Sequence, residues 1–187
     1  MPELVDPAWP ALRFVFPHAP VRPVTINNGM PMRAWYDIAG FDARAPQDEA
    51  GVRASIAEVE ALIAREHERG VPSERIVLAG FSQGGAIALA AGLCHAQALA
   101  GIVALSTYLP IAEVVARERH PTNAATPIFQ AHGSADPVVA MQRGVESRDR
   151  LQSLGYTVDW HSYPMGHAVC AQEIADLRRW LDARLTA

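Results

Sequence analysis

The run Arg75–Gly80, RIVLAG, continues through Phe81-Ser82-Gln83-Gly84 directly into GAIALAAGLCHA, a stretch of small and apolar residues with almost no polar side chain. A strand that is apolar on both of its faces has to be covered on both faces, which is the situation of a strand inside a parallel sheet. Joined by a turn of four residues, such a strand and a helix of small residues suit one unit of an α/β fold.

The rest of the chain repeats the pattern. Leu12–Phe16 (LRFVF), Arg75–Ala79 (RIVLA), Gly101–Ser106 (GIVALS) and Pro127–His132 (PIFQAH) read as covered strands, and Thr157–Tyr163 (TVDWHSY) alternates as an edge strand would. Helical stripes lie between them. Gln47–Arg69 aligns Ile56, Val59, Leu62 and Ile63 ahead of Gly70; Pro137–Leu154 aligns Val138, Met141, Val145 and Leu154; Ala171–Leu185 aligns Ile174, Leu177, Leu181 and Leu185. Strand and helix in alternation predict an α/β fold with right-handed crossovers. Val24–Asp37 breaks the rhythm, and its Asn27-Asn28-Gly29 reads as a hairpin standing off the sheet. No repeat or linker divides the 187 residues, so residues 1–187 are expected to form one domain.

A net charge of −4 without a basic stripe argues against nucleic acid as a partner. No apolar run is long enough to span a bilayer, so stable membrane insertion is not expected, and the first residues lack the pattern of a signal peptide. Cys94 and Cys170 read as free thiols in a reducing, cytoplasmic setting. The seven histidines show no metal-ligand spacing, and no cofactor is implied.

Gly80-Phe81-Ser82-Gln83-Gly84 matches G-x-S-x-G, a weak signal alone because glycine and serine are common. Its position where a strand turns into a helix is what gives it weight: a serine there stands on a strained turn whose neighbours must be small. The alternative is a glycine-rich turn that packs a helix close to the sheet. A hydroxyl becomes a nucleophile only with a base and a group that orients the base. Asp136 follows the strand Pro127–His132, and His167 follows the strand Thr157–Tyr163; both fall at the carboxyl edge of the sheet, on the side of Ser82. Asp136 before Pro137 also suits a helix N-cap, and His167 also suits a surface loop. His161 lies within a strand and His132 precedes the acid, so neither fits the chain order serine, acid, histidine.

GFSQGG, GSADPVV and YPMGH resemble the three catalytic blocks of the bacterial carboxylesterase and acyl-protein thioesterase family of α/β-hydrolases. FPHAP, NGMPMRAWYD and LSTYLP are similar to it at matching places along nearly the whole chain. The resemblance implies Ser82 as nucleophile, His167 as general acid–base, Asp136 as its orienting acid and the Gln83 backbone N–H as an oxyanion donor. It implies a small-molecule ester as substrate, with acyl-protein thioesters or lysophospholipids as the alternative. The chain departs from the family at its start, where a strand ending in an H-G-x-G-like turn and then a helix would precede ALRFVFPHAP; MPELVDPAWP resembles the tail of that helix. The expected consequences are an unpaired edge on the nucleophile strand, which favours a homodimer, and turnover lowered about 10²–10³-fold for want of the second oxyanion donor. That lowered turnover makes a catalytically impaired binding module the second alternative to an enzyme. A longer natural product would remove both consequences.

Met30, Met32, Trp35, Tyr36, Leu109 and Met165 are the candidates to line an acyl pocket, with ordinary core packing as the alternative for the two aromatics. No cationic cluster along the sequence marks a site for an anionic headgroup.

Overall fold

Four parallel strands carry the site, and the residues between them decide which side of the sheet each helix covers. The structure is a computed structural model that describes residues 4–40 and 45–185; the ends of the expected domain, 1–3 and 186–187, lie outside the described residues. In chain order, β1 (Val21–Val24) and β2 (Met30–Arg33) precede α1 (Glu49–Glu68), β3 (Val77–Phe81), α2 (Gln83–Cys94), β4 (Gly101–Leu105) and α3 (Ala112–Glu118). Then come β5 (Ile128–Gly133), α4 (Met141–Ser153), β6 (Val158–Tyr163) and α5 (Ala171–Leu185). The large sheet runs β3-β4-β5-β6, all parallel, with Val77 opposite Gly101, Ile102 opposite Ile128 and Ile128 opposite Val158.

Strand alternation sorts the core onto two faces. Ile102, Ala104 and Ile128 face α2 and pack with Ile87, Leu89, Leu93, Val52, Val115 and Leu151. Val103, Leu105, Phe129 and Ala131 face the other way, against Leu177 and Trp180 of α5. Every residue of β4 and β5 is buried, as unbroken apolar runs require. Gly85 to Leu93 of α2 are buried as well, which the all-apolar sequence of that helix demands.

β1 and β2 form an antiparallel hairpin, separate from the large sheet, whose tip turns through Asn28 (φ 56°) and Gly29 (φ 73°) in the left-handed region. The Asp48 carboxylate caps α1 by accepting from the Gly51 N–H at 2.8 Å, and Gly70, at φ 84°, follows its end.

Three expectations change. Leu12–Phe16 is not a strand; Phe14, Val15 and Phe16 are 45, 42 and 70% exposed, with the rings of Phe14 and Phe16 stacked 6.1 Å apart. Apolarity shows what a segment can bury, whereas a strand also needs a ladder partner. Among the described residues β3 pairs with β4 alone, so its other edge is open. Leu4–Pro10 forms turns rather than the tail of a helix, and it is tied to α5: Trp9 Nε1 donates to Asp182 at 2.8 Å, and Arg178 pairs with Asp6. α4 begins at Met141 instead of Pro137, because Pro137–Ala140 form the loop that wraps the Asp136 carboxylate.

Candidate active site

Ser82 joins β3 to α2 at φ 54° and ψ −124°, a combination that costs a non-glycine residue and must be enforced by its surroundings. The enforcement is visible. The Ser82 N–H donates to the Leu105 carbonyl at 2.8 Å, and the Ser82 carbonyl accepts from Thr107 Oγ1 at 2.7 Å and from the Ala86 N–H at 3.1 Å. A Cβ on Gly80 would stand 2.2 Å from the Gly84 backbone, and one on Gly85 would stand 2.8 Å from both the Gly80 carbonyl oxygen and Thr107 Cγ2. Gly80 and Gly85 therefore allow strand and helix to touch. At Gly84 the nearest neighbour of such a Cβ is Trp35 Nε1 at 3.9 Å, so the space over the turn is open.

Asp136 lies on the loop after β5. Its Oδ1 accepts from the N–H groups of Val138 and Val139 at 2.8 and 2.9 Å, and its side chain is fully buried. Burial would raise the carboxyl, but the hydrogen bond from His167 and the two backbone N–H groups outweigh it and hold Asp136 below the usual carboxylate range. The His167 loop is brought against the Asp136 loop at Gly133, where a Cβ would stand 2.3 Å from the Gly166 carbonyl oxygen. His167 Nδ1 then lies 2.7 Å from Asp136 Oδ2, and His167 Nε2 lies 2.9 Å from Ser82 Oγ. The Phe81 ring packs on the imidazole at 4.6 Å. A serine hydroxyl, an imidazole and a buried carboxylate in this order form a proton relay that can deprotonate the serine and return the proton to a leaving group.

Supporting groups went unread in the sequence. His132, fully buried, places Nε2 2.8 Å from the Val139 carbonyl, which fixes the loop that feeds Asp136; burial holds its imidazole below the ordinary range. Thr107 braces the nucleophile turn. The Gln83 side chain accepts from the Trp35 N–H at 2.7 Å and donates to the Tyr36 carbonyl at 2.8 Å, tying the chain after β2 across the start of α2. The Gln83 backbone N–H occupies the first turn of α2, where helices leave donors free.

The pocket candidates separate. Trp35 overhangs the turn at Gly84, and Met165 sits half-buried two residues before His167. Met30 and Met32 stand out on the hairpin, 65 and 43% exposed. Tyr36 and Leu109 are 4 and 5% exposed members of the α2-side core, and the Tyr36 hydroxyl meets that of Tyr108 at 2.9 Å. His161 pairs with Asp159 on β6. Among the described residues there is no group of three or more His, Cys, Asp or Glu side chains placed to hold a metal, and no helix is long and apolar enough to cross a membrane.

The profile of the phospholipase/carboxylesterase family matches residues 5–185. The chain is 43% identical to an acyl-protein thioesterase 1 of Mycosarcoma maydis, over 97% of this chain and 81% of that protein. It is 45% identical to the acyl-protein thioesterase 1 of Neurospora crassa, over 93% and 74%. Among solved structures it is similar to Arabidopsis thaliana SOBER1, with TM-score 0.87 and 33% identity over 91% of this chain and 83% of that one. It is also similar to Zea mays acyl-protein thioesterase 2, with TM-score 0.80 and 33% identity over 90% and 80%.

Proposed function

Because the chain belongs to the phospholipase/carboxylesterase family of α/β-hydrolases and is a serine hydrolase, we propose that it cleaves acyl thioesters and carboxylic esters through an acyl-enzyme on Ser82, with thioesters the preferred class. The sequence alone put simple esters first. The relatives named acyl-protein thioesterases move the weight to the thioester.

His167 Nε2 takes the Ser82 proton as Oγ attacks the acyl carbonyl, and the Asp136 carboxylate stabilises the imidazolium through Nδ1–H. The developing oxyanion is received by the Gln83 N–H. Collapse breaks the C–S or C–O bond, and the leaving thiol or alcohol takes the proton from His167. Water, deprotonated by the same imidazole, then attacks the Ser82 ester, and collapse releases the carboxylic acid and returns the proton to Oγ. The relay of 2.9 and 2.7 Å from hydroxyl through imidazole to buried carboxylate is the observation that carries this reading.

A fluorophosphonate probe with parallel assays on a short-chain ester, an acyl thioester and a lysophospholipid tests it. One adduct on Ser82, lost in Ser82→Ala, with fastest turnover of the thioester is expected. A folded protein that neither labels nor turns over any of the three would sink it and leave a binding module in its place. The open edge of β3 supports a homodimer in solution, which a monomeric elution volume in size-exclusion chromatography would refute. The free thiols Cys94 and Cys170 accord with a reducing, cytoplasmic setting, which a fluorescent fusion concentrated outside the cytoplasm would contradict.

A further inference from the structure

A cavity of about 150 Å³ opens beside the catalytic edge, lined by Gln47, Tyr108, Arg143, Glu146 and Arg150 among others. Its wall begins one residue beyond Thr107, whose hydroxyl holds the Ser82 carbonyl. Its far side is α4, which follows the Asp136 loop. Arg143 and Arg150 are seven residues apart and so share one face of that helix. A space of this size holds a small group, about as large as benzene.

The cations here are placed for a ligand more than for the fold. Arg143 is the third residue of α4, whose first turn holds no acidic residue, and a helix N-terminus disfavours a cation. Among the described residues Arg143 makes no ion pair; its guanidinium lies 3.5 Å over the Tyr108 ring, which leaves its N–H fork free at the edge. Arg150 pairs with Glu113 through Nη2 at 2.9 Å, yet its Nε–H is buried with no partner. The acid within the groove, Glu146, accepts from Gln142 at 3.1 Å and is in ion-pair contact with neither arginine.

We propose that this groove is an anion subsite for the leaving group, in which Arg143 and Arg150 receive a carboxylate or phosphate carried by the thiol or alcohol half of the substrate. Unlike the acyl chain, that half can carry such a charge, and the groove borders Tyr108, the residue after the Thr107 that holds the Ser82 carbonyl. The subsite rests on the hydrolase reading and narrows it to substrates whose leaving group is anionic. The two arginines act together only once α4 is formed, so the charge pattern along the sequence does not show them as a cluster.

The experiment compares matched pairs: butyryl thioesters of N-acetylcysteine and of its primary amide, and of pantetheine 4′-phosphate and pantetheine. In the wild-type protein kcat/KM is expected to favour the anionic member about tenfold, chiefly through KM, and less at high salt. Arg143→Gln should reduce that ratio to near one, and Arg143→Lys should restore part of it. The pair with the larger ratio identifies carboxylate or phosphate as the natural anion. Equal rates within both pairs, or a preference that survives Arg143→Gln, overturns the subsite. Calorimetric binding of the free thiol N-acetylcysteine keeps the two readings apart. Binding that depends on Arg143 without any turnover removes the hydrolase and retains the subsite, whereas turnover without discrimination removes the subsite alone.

Discussion

Glu173 provides a sharp stability test because the fold buries it without compensation. It is the third residue of α5, its side chain is fully buried, and no hydrogen bond of good geometry reaches either carboxylate oxygen. Burial pushes its carboxyl up to about 7, with the Cys170 N–H at the helix start the one opposing influence; Tyr163, whose phenol is raised, feels the same charge. The unfolded chain releases this proton near the ordinary value of 4.5. Between 4.5 and about 7 the native state therefore holds a proton that the unfolded state has lost, and stability falls as pH rises through that window. At about 1.4 kcal/mol per pH unit the full loss is roughly 3 kcal/mol, complete above pH 7 and absent below 4.5. Glu173→Gln removes the titration but also buries an amide, which adds a constant cost of about 1–3 kcal/mol. The diagnostic quantity is therefore the change in the stability difference with pH. Urea unfolding of both proteins at pH 5 and pH 8 should show the variant gaining about 2.5 kcal/mol on the wild type between them, since part of the loss has already occurred by pH 5. Parallel stability curves would refute the reasoning, since they would mean that Glu173 ionises in the native state as it does in water.

Asp136→Asn should leave the fold intact while lowering kcat by about 10⁴-fold and slowing fluorophosphonate labelling with it, because a neutral amide can neither stabilise the imidazolium nor hold the productive tautomer. Steady-state kinetics on a thioester checks it, and a loss of tenfold or less would place the orienting charge elsewhere. Gly80→Ala forces a methyl to 2.2 Å from the Gly84 backbone, which cannot swing away as a side chain could. An overpacking cost of about 1–3 kcal/mol, measured by thermal unfolding, should come with lost Ser82 labelling as the turn deforms. The same substitution at Gly84, where a Cβ meets open space, should cost far less stability.

The parallel sheet was legible because its signal is local. Unbroken apolar runs at Gly101–Ser106 and Pro127–His132 correspond to β4 and β5, buried on both faces. Leu12–Phe16 carries the same local signal without becoming a strand, because pairing is a property of two segments and the run specifies one. β3 itself begins two residues later than its apolar run, since Ser73–Arg75 form a short turn whose Ser73 carbonyl takes the Ile76 N–H at 2.8 Å.

The site divides on the same principle. Ser82, Asp136 and His167 could be proposed from the chain because their order and their places after strands of a parallel sheet bring them to one edge, and because the blocks around them resemble those of a known family. The groups that hold them could not, since their partners are backbone atoms or residues distant in sequence. Thr107 acts on a carbonyl 25 positions away, and Gln83 reaches residues 47 and 48 positions away. His132 was set aside as a base for preceding the acid, yet that position, at the end of β5 under the Asp136 loop, is what lets it meet the Val139 carbonyl. Trp35 and Tyr36 carry the lesson into specificity: adjacent aromatics with the same sequence signal part ways when Gln83 grips the backbone on both sides of the peptide joining them. One ring is left over the nucleophile turn, and the other is driven into the core to meet Tyr108 and, through it, Arg143. A chain of contacts thus links the residue beside the nucleophile to Arg143 in the proposed anion groove.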